Sequence, residues 1–170
     1  MNNIKMINAS KEMLPNIRKQ RVEAYEEYAD RLPKAHWKAL KQAITSDADI
    51  QPGAELIVGE LNGQIVGSVV LFPPKSDAYE GLVAEVDYPE IRMLAVDPHV
   101  RGKGVAKALI TECINRTKDK GLSTIGLHTG DFMENAIRVY EAFGFKRIPQ
   151  YDFEPANDGI IVRAYLLELK

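Results

Sequence analysis

The sequence predicts a single mixed α/β domain over residues 1–170, and three observations carry that prediction. A chain of 170 residues fits one domain and is long enough to bury a real core. Apolar residues make up 45% and charged residues 27%, ordinary values for a globular chain, which excludes a disordered or fibrous one. The apolar period alternates between about two and about 3.6 residues, and a hairpin signal interrupts the alternation, so the sheet should be mixed.

Each element has a local reason. Ile4 and Met6 mark a short first strand. Leu14, Ile17, Val22, Tyr25 and Tyr28 recur at near-helical spacing, with Pro15 tolerable only in the first turn. Pro33 breaks this region, and Trp37, Leu40 and Ile44 make a second helical stripe. A loop at 46–53 precedes two strands, ELIVGEL and QIVGSVVLF, that flank Asn62-Gly63, a dipeptide favouring a tight hairpin turn. An acidic loop covers 73–88, and EIRMLAV (90–96) is the next strand. Val105, Leu109 and Cys113 run beside Ala106, Ile110 and Ile114 on a helix that Gly121 ends, with Lys118 and Lys120 suited to its C-terminus. STIGLHT (123–129) is a strand, and Asn135 to Phe143 a short helix with Gly144 as its left-handed cap. Strands near 146–153 and 159–169 close the order β-α-α-β-β-β-α-β-α-β-β.

Composition narrows the function classes. Lys plus Arg total 22 against 24 Asp plus Glu, which weakens a nucleic-acid or anionic-membrane reading. No apolar run approaches the ~20 residues of a membrane span, and the N-terminus lacks a secretory stretch, so a cytoplasmic location is expected. The lone Cys113 cannot form an internal disulfide, and three histidines with one cysteine argue against a zinc site; no metal is expected.

The most informative segment is LAVDPHVRGKGVAKALI (94–110). A strand ends at Val96, Asp97-Pro98 turns the chain, and Arg101-Gly102-Lys103-Gly104-Val105-Ala106 opens a helix. Glycines let a ligand approach the backbone, and free amides at a helix start favour an anion. Arg101 and Lys103 add positive charge, which makes a pyrophosphate cradle. Two glycine motifs fail here. Gly102-Lys103 lacks the Ser or Thr of the ATP-binding P-loop, and Lys107 stands where the dinucleotide fingerprint needs its third glycine.

Arg101, Gly104 and Ala106, after LAVDP, resemble the Gln/Arg-x-x-Gly-x-Gly/Ala loop of the GNAT superfamily of acyl-CoA N-acyltransferases. Asn135, Ala136, Tyr140, Gly144 and Phe145 in NAIRVYEAFGF resemble that family's second block, one helix and one strand downstream. The resemblance is strong from about 55 to 145. It implies a twisted, mostly antiparallel sheet of about seven strands with a splayed parallel central pair, flanked by about four helices. It also implies acetyl-CoA as co-substrate. Pantetheine would pair with the backbone of Leu94, Ala95 and Val96. The pyrophosphate would sit on the amides of Gly102, Lys103, Gly104, Val105, Ala106 and Lys107, beside Arg101. Asn135 resembles the asparagine that bonds pantetheine or the acceptor side, and Tyr140 the tyrosine that faces the sulfur. A homodimer is plausible by the same resemblance.

The implied reaction moves an acetyl group from the thioester to a primary amine by direct attack in a ternary complex. A lysine-like amine of pKa ~10.4 is only about 0.1% neutral near pH 7.4, so it needs a proton acceptor. The departing thiolate needs a donor, and Tyr140 has a suitable pKa of ~10. Glu90, at the start of a strand, and His128, with an unperturbed pKa of ~6.5, are alternative bases, each equally well read as a structural side chain, and a relay of waters to either residue would also suffice. Cys113 reads as packing. Asp77, Glu80, Glu85, Asp87 and Glu90 form an acidic stretch that is either solvated or a rim gathering a cationic acceptor, a small-molecule amine or a protein lysine or N-terminus. Tyr25, Tyr28 and Trp37 are candidates to line the acceptor pocket. The competing readings are a non-catalytic acyl-CoA-binding module on the same fold and an ATP- or NAD-binding protein.

Overall fold

A computed structural model describes residues 3–76 and 86–169. Asp77, Glu80 and Glu85 of the acidic stretch lie outside the described residues. Among the described residues, seven strands form one sheet: β1 (Ile4–Asn8), β2 (Glu55–Leu61), β3 (Gln64–Phe72), β4 (Glu90–Val96), β5 (Thr124–Gly130), β6 (Lys146–Arg147) and β7 (Val162–Glu168). Their spatial order is β1-β2-β3-β4-β5-β7-β6. All neighbours are antiparallel except β4 and β5, which run parallel. Four α-helices among the described residues flank the sheet: α1 (Leu14–Tyr25), α2 (Lys34–Ile44), α3 (Val105–Asp119) and α4 (Glu134–Ala142).

The apolar runs of β2 and β3 are continuous because the sheet is covered on both faces. Leu56, Val58, Val70 and Phe72 meet Ile17 of α1 on one face. The alternate residues Ile57, Val69 and Leu71 meet Leu109, Ile110 and Cys113 of α3 on the other, where Ile137 and Tyr140 of α4 also pack. The hairpin turn has Asn62 and Gly63 both at positive φ, as its dipeptide predicts. Gly144 has φ +98°, and the Phe145 amide donates back to the Tyr140 carbonyl, closing α4.

Three local expectations change. The strand read near 146–153 shrinks to Lys146–Arg147, because Pro149 has no amide to donate and starts a short 3₁₀ turn; Phe153 rejoins the sheet through one bridge to Val162. Tyr28 lies beyond α1 in a six-residue 3₁₀ segment, Glu26–Arg31. The α2 stripe includes His36, which is 7% exposed and bonds Asp158 from Nδ1 at 2.7 Å.

Composition gave no sign of the charge cluster that joins α1 to the segment after α2. Arg21 and Asp49 are both fully buried and paired at 2.9 Å. Arg21 Nη1 also donates to the Ile44 carbonyl at 2.6 Å, and Arg18 binds Asp49 at 2.8 Å. Burial alone would raise the Asp49 carboxyl, but the hydrogen bonds from Arg18 and Arg21 outweigh it and hold the group below its usual range. A carboxyl depressed in the folded state stabilises above its unfolded pKa of ~3.9, and this stability is lost as pH falls through the folded value. Asp49→Asn should therefore destabilise by about 3–5 kcal/mol at neutral pH, by leaving Arg21 buried without a counter-charge. The difference from wild type should shrink as urea unfolding is repeated below about pH 4.

Candidate active site

The site begins where β4 and β5 part. The parallel pair shares only Glu90 with Gly126 and Ile91 with Leu127. Beyond that foot the strands diverge, so Leu94 to Val96 have no paired residue on β5. A β-bulge on β4 helps turn it away. Ser68 opposes Ala95 and Val70 opposes Arg92, leaving one β3 residue against Met93 and Leu94. Met93 has φ +56°, a left-handed conformation that costs a non-glycine residue about 1–2 kcal/mol. Apolar packing from both clusters on the α1 face holds it there.

A cavity of about 460 Å³ occupies the widening notch. One wall is Leu94, Ala95 and Val96, and another is the loop and first turn of α3. Asn135, Ala136 and Val139 of α4 make a third, and Tyr25 and Tyr28 a fourth. Of the twelve residues expected to hold the co-substrate, ten line this cavity; Lys103 and Tyr140 do not. Trp37 is not on its wall either, whereas Tyr25 and Tyr28 are. Burial pushes the Tyr25 hydroxyl up to about 12.

The loop before α3 has the shape of an anion cradle. Gly102 and Gly104 have φ +82° and +83°, and a Cβ on either would meet nothing within 4 Å. Gly104 is the N-cap of α3 and no side chain caps it. The Ala108 amide closes the first turn on the Gly104 carbonyl, which leaves the amides of Val105 to Lys107 free of helical partners. Arg101 stands beside them, but its fork is engaged by Glu27 at 2.5 and 2.9 Å. Burial would raise the Glu27 carboxyl, yet the Arg101 hydrogen bond lowers it below its ordinary value. Sequence inspection missed Glu27, whose partner lies 74 residues away.

The two candidate bases come together. His128 Nδ1 lies 2.8 Å from Glu90 Oε2, and Nε2 lies 3.1 Å from the Tyr151 carbonyl. Glu90 is therefore a buried, bonded carboxylate, 7% exposed, and no member of a solvated rim; Asp87 is exposed. The pair faces α1, because the alternate residues Ile91 and Leu127 belong to the α3 cluster. On the same face Gly126 lies under Tyr88, where a Cβ would come within 2.3 Å of the ring, and Gly130 lies under Phe132 at 2.4 Å. Tyr140 lies on the opposite face, 5% exposed, with its ring edge-on to Phe145 at 5.9 Å. Asn135 accepts from Arg138 at 3.1 Å. Burial pushes the Cys113 thiol up to about 12, consistent with packing.

Among the described residues, no group of three His, Cys, Asp or Glu is placed to hold a metal ion, and no helix is long and apolar enough to cross a membrane. The Acetyltransferase (GNAT) family pattern matches residues 14–145, and the chain belongs to that family. Curated relatives agree. Mycothiol acetyltransferase of Cellulomonas flavigena is 35% identical over 95 residues, covering 55% of this chain and 27% of that protein. The uncharacterized N-acetyltransferase YjgM of Escherichia coli is 32% identical over 98 residues, covering 58% and 54%. The matched stretch thus spans about half or less of each relative's length. A GNAT-family acetyltransferase structure from Staphylococcus aureus superposes with a TM-score of 0.73 at 17% identity, over 99% of this chain and 100% of that one. The PaiA N-acetyltransferase of Thermoplasma acidophilum, solved with coenzyme A, gives 0.67 at 16% identity, over 95% and 98%.

The glycine beneath Tyr88 supplies a direct test of this face. Gly126→Ala should drive the ring off the strand and destabilise the fold by about 1–3 kcal/mol, read as a lower urea midpoint at unchanged slope.

Proposed function

We propose that the chain is an acetyl-CoA-dependent N-acetyltransferase that acetylates a primary amine by direct attack within a ternary complex. One observation carries the reading: a family glycine loop, with free helix amides, opens onto a notch between two parallel strands that stay paired only at their foot. Acetyl-CoA supplies the acyl group as an activated thioester. The amides of Val105 to Lys107 would hold its pyrophosphate, with Arg101, held by Glu27, at the rim. The unpaired β4 edge from Leu94 to Val96 would take the pantetheine as a short added strand, and Asn135 and Ala136 would flank it.

The attacking nitrogen must lose a proton, and the departing thiolate must gain one. The Glu90–His128 pair is the acceptor candidate on the α1 face. Tyr140, reaching from α4 on the other face, is the donor candidate. The acceptor side would be bounded by Tyr25, Tyr28 and the segments around Tyr88 and Phe132. The PaiA relative was solved with coenzyme A, which supports the same ligand here.

A screen of primary amines and lysine peptides, reading released coenzyme A with a thiol reagent, tests the activity. Turnover with at least one amine is expected. Tight acetyl-CoA binding without turnover by any amine would make the chain a binding module instead, and a thermal shift with ATP or NAD alone would relocate the ligand class. Gly104→Asp should abolish acetyl-CoA binding in calorimetry, because it brings a negative charge to the phosphate seat; the new side chain meets no neighbour, and its strain at φ +83° costs about 1–2 kcal/mol, which leaves the protein folded. Unchanged affinity would place the phosphate elsewhere. Tyr140→Phe should lower kcat by about 10–1000-fold with little change in acetyl-CoA affinity.

A further inference from the structure

We propose that Glu27 sets the affinity of the phosphate seat for its anion: it neutralises Arg101, so the seat holds a diphosphate by its backbone amides and gains no net charge from that arginine. This deepens the acetyl-CoA reading above and rests on it.

Arg101 and Glu27 both line the cavity, together with the loop and first turn of α3. Arg101 Nη1 and Nη2 donate to Glu27 Oε2 and Oε1 at 2.5 and 2.9 Å, two parallel bonds from a planar fork to a carboxylate. Both terminal nitrogens are thus turned to Glu27, and a phosphate taking the same edge must displace a carboxylate already seated there. Burial would raise the Glu27 carboxyl, but the Arg101 bond outweighs it, so the group is ionised at neutral pH. The pair then carries +1 and −1 on one rim. Among the described residues, Glu27 is the one acid on the cavity wall, against Arg101 and Lys107. Asp97, the other carboxylate beside Arg101, is taken by the His99 amide at 2.9 Å and by His99 Nδ1 at 3.0 Å.

Glu27 does not owe its place to Arg101 alone. Its segment, Glu26–Arg31, leaves the end of α1 and is fastened at its far end, where Arg31 meets Glu134 of α4 at 2.8 Å. Between the two ties Tyr28 packs against Phe132 at 5.3 Å. Removing the Arg101 charge therefore leaves a carboxylate at the phosphate seat, and removing the Glu27 charge leaves a guanidinium there. The two side chains are 39% and 31% exposed, so the pair adds little to folding and either can be neutralised in a folded protein. Its effect on a bound anion is larger, because a unit charge a few ångströms from a phosphate changes affinity about fivefold even in water-like surroundings.

The test uses wild type, Glu27→Gln, Arg101→Gln and the double variant, in which the pair carries 0, +1, −1 and 0. Acetyl-CoA is titrated by calorimetry, and inorganic pyrophosphate by NMR shifts of the amides of residues 102–107. Glu27→Gln should tighten acetyl-CoA about 3–30-fold, Arg101→Gln should weaken it by a similar factor, and the double variant should return to within about twofold of wild type. Added salt should shrink both single-variant differences by screening. Thermal unfolding of each variant checks that it is folded. If Arg101 itself held the phosphate, Arg101→Gln and the double variant would be equally weak and Glu27→Gln would match wild type. If the pair only braced the segment, all three variants would weaken alike. Either pattern overturns the proposal, as does a Glu27→Gln protein that binds neither probe. Pyrophosphate carries no acyl group, so the expected order with pyrophosphate but no binding of acetyl-CoA would sink the acetyl-CoA reading and keep the role of Glu27. Acetyl-CoA turnover with equal affinities in all four proteins would do the reverse.

Discussion

Everything at the site depends on one incomplete strand pairing. β4 and β5 are held together at Glu90–Gly126 and Ile91–Leu127, and then part. A parallel pair continued to its end would have satisfied the β4 edge and left no notch. The bulge at Met93 and Leu94 turns β4 while β3 keeps its ladder on the other side. The cost is a non-glycine residue at positive φ, held by packing against both clusters under α1. The glycine loop and the start of α3 follow directly from the end of β4, so the strand that opens the notch also aims the helix amides into it.

Several charges taken from water are paired across the chain. Arg21 and Asp49 are fully buried and tie α1 to the segment after α2. Glu27 neutralises Arg101 at the rim of the cavity, and Arg31 meets Glu134 in the first turn of α4 at 2.8 Å. The 3₁₀ segment that carries Glu27 and Arg31 is thus joined to both sides of the notch. These two pairs are partly exposed and each contributes little to stability. Their effect is on where Tyr28 stands, against Phe132 at 5.3 Å.

Under the proposed function, the two faces of the sheet would divide the labour of proton transfer. The α1 face carries the Glu90–His128 pair, and the α3/α4 face carries Tyr140 in its apolar cluster. A bond-forming event in the notch would draw on one face for its acceptor and on the other for its donor. Small residues make the α1 face possible. At Gly126 and Gly130 aromatic rings lie where a Cβ would otherwise stand, which closes the wall around His128.

The sequence alone determined the type and order of all eleven main elements, the hairpin turn at Asn62-Gly63, the left-handed cap at Gly144 and the glycine loop before α3. These are local properties: periodicity, turn chemistry and φ preference act within a few residues. It also singled out Glu90 and His128, but as rivals. Only the tertiary structure made them partners, because their contact spans 38 residues and depends on which strands become neighbours and in what register. The same holds for Arg101 with Glu27 and for Arg21 with Asp49, where each residue alone reads as a solvated charge. Met93 gave no local signal, since methionine has no preference for a left-handed backbone. Its conformation is imposed by the mismatch between β3 and β4, which exists only once the sheet is assembled.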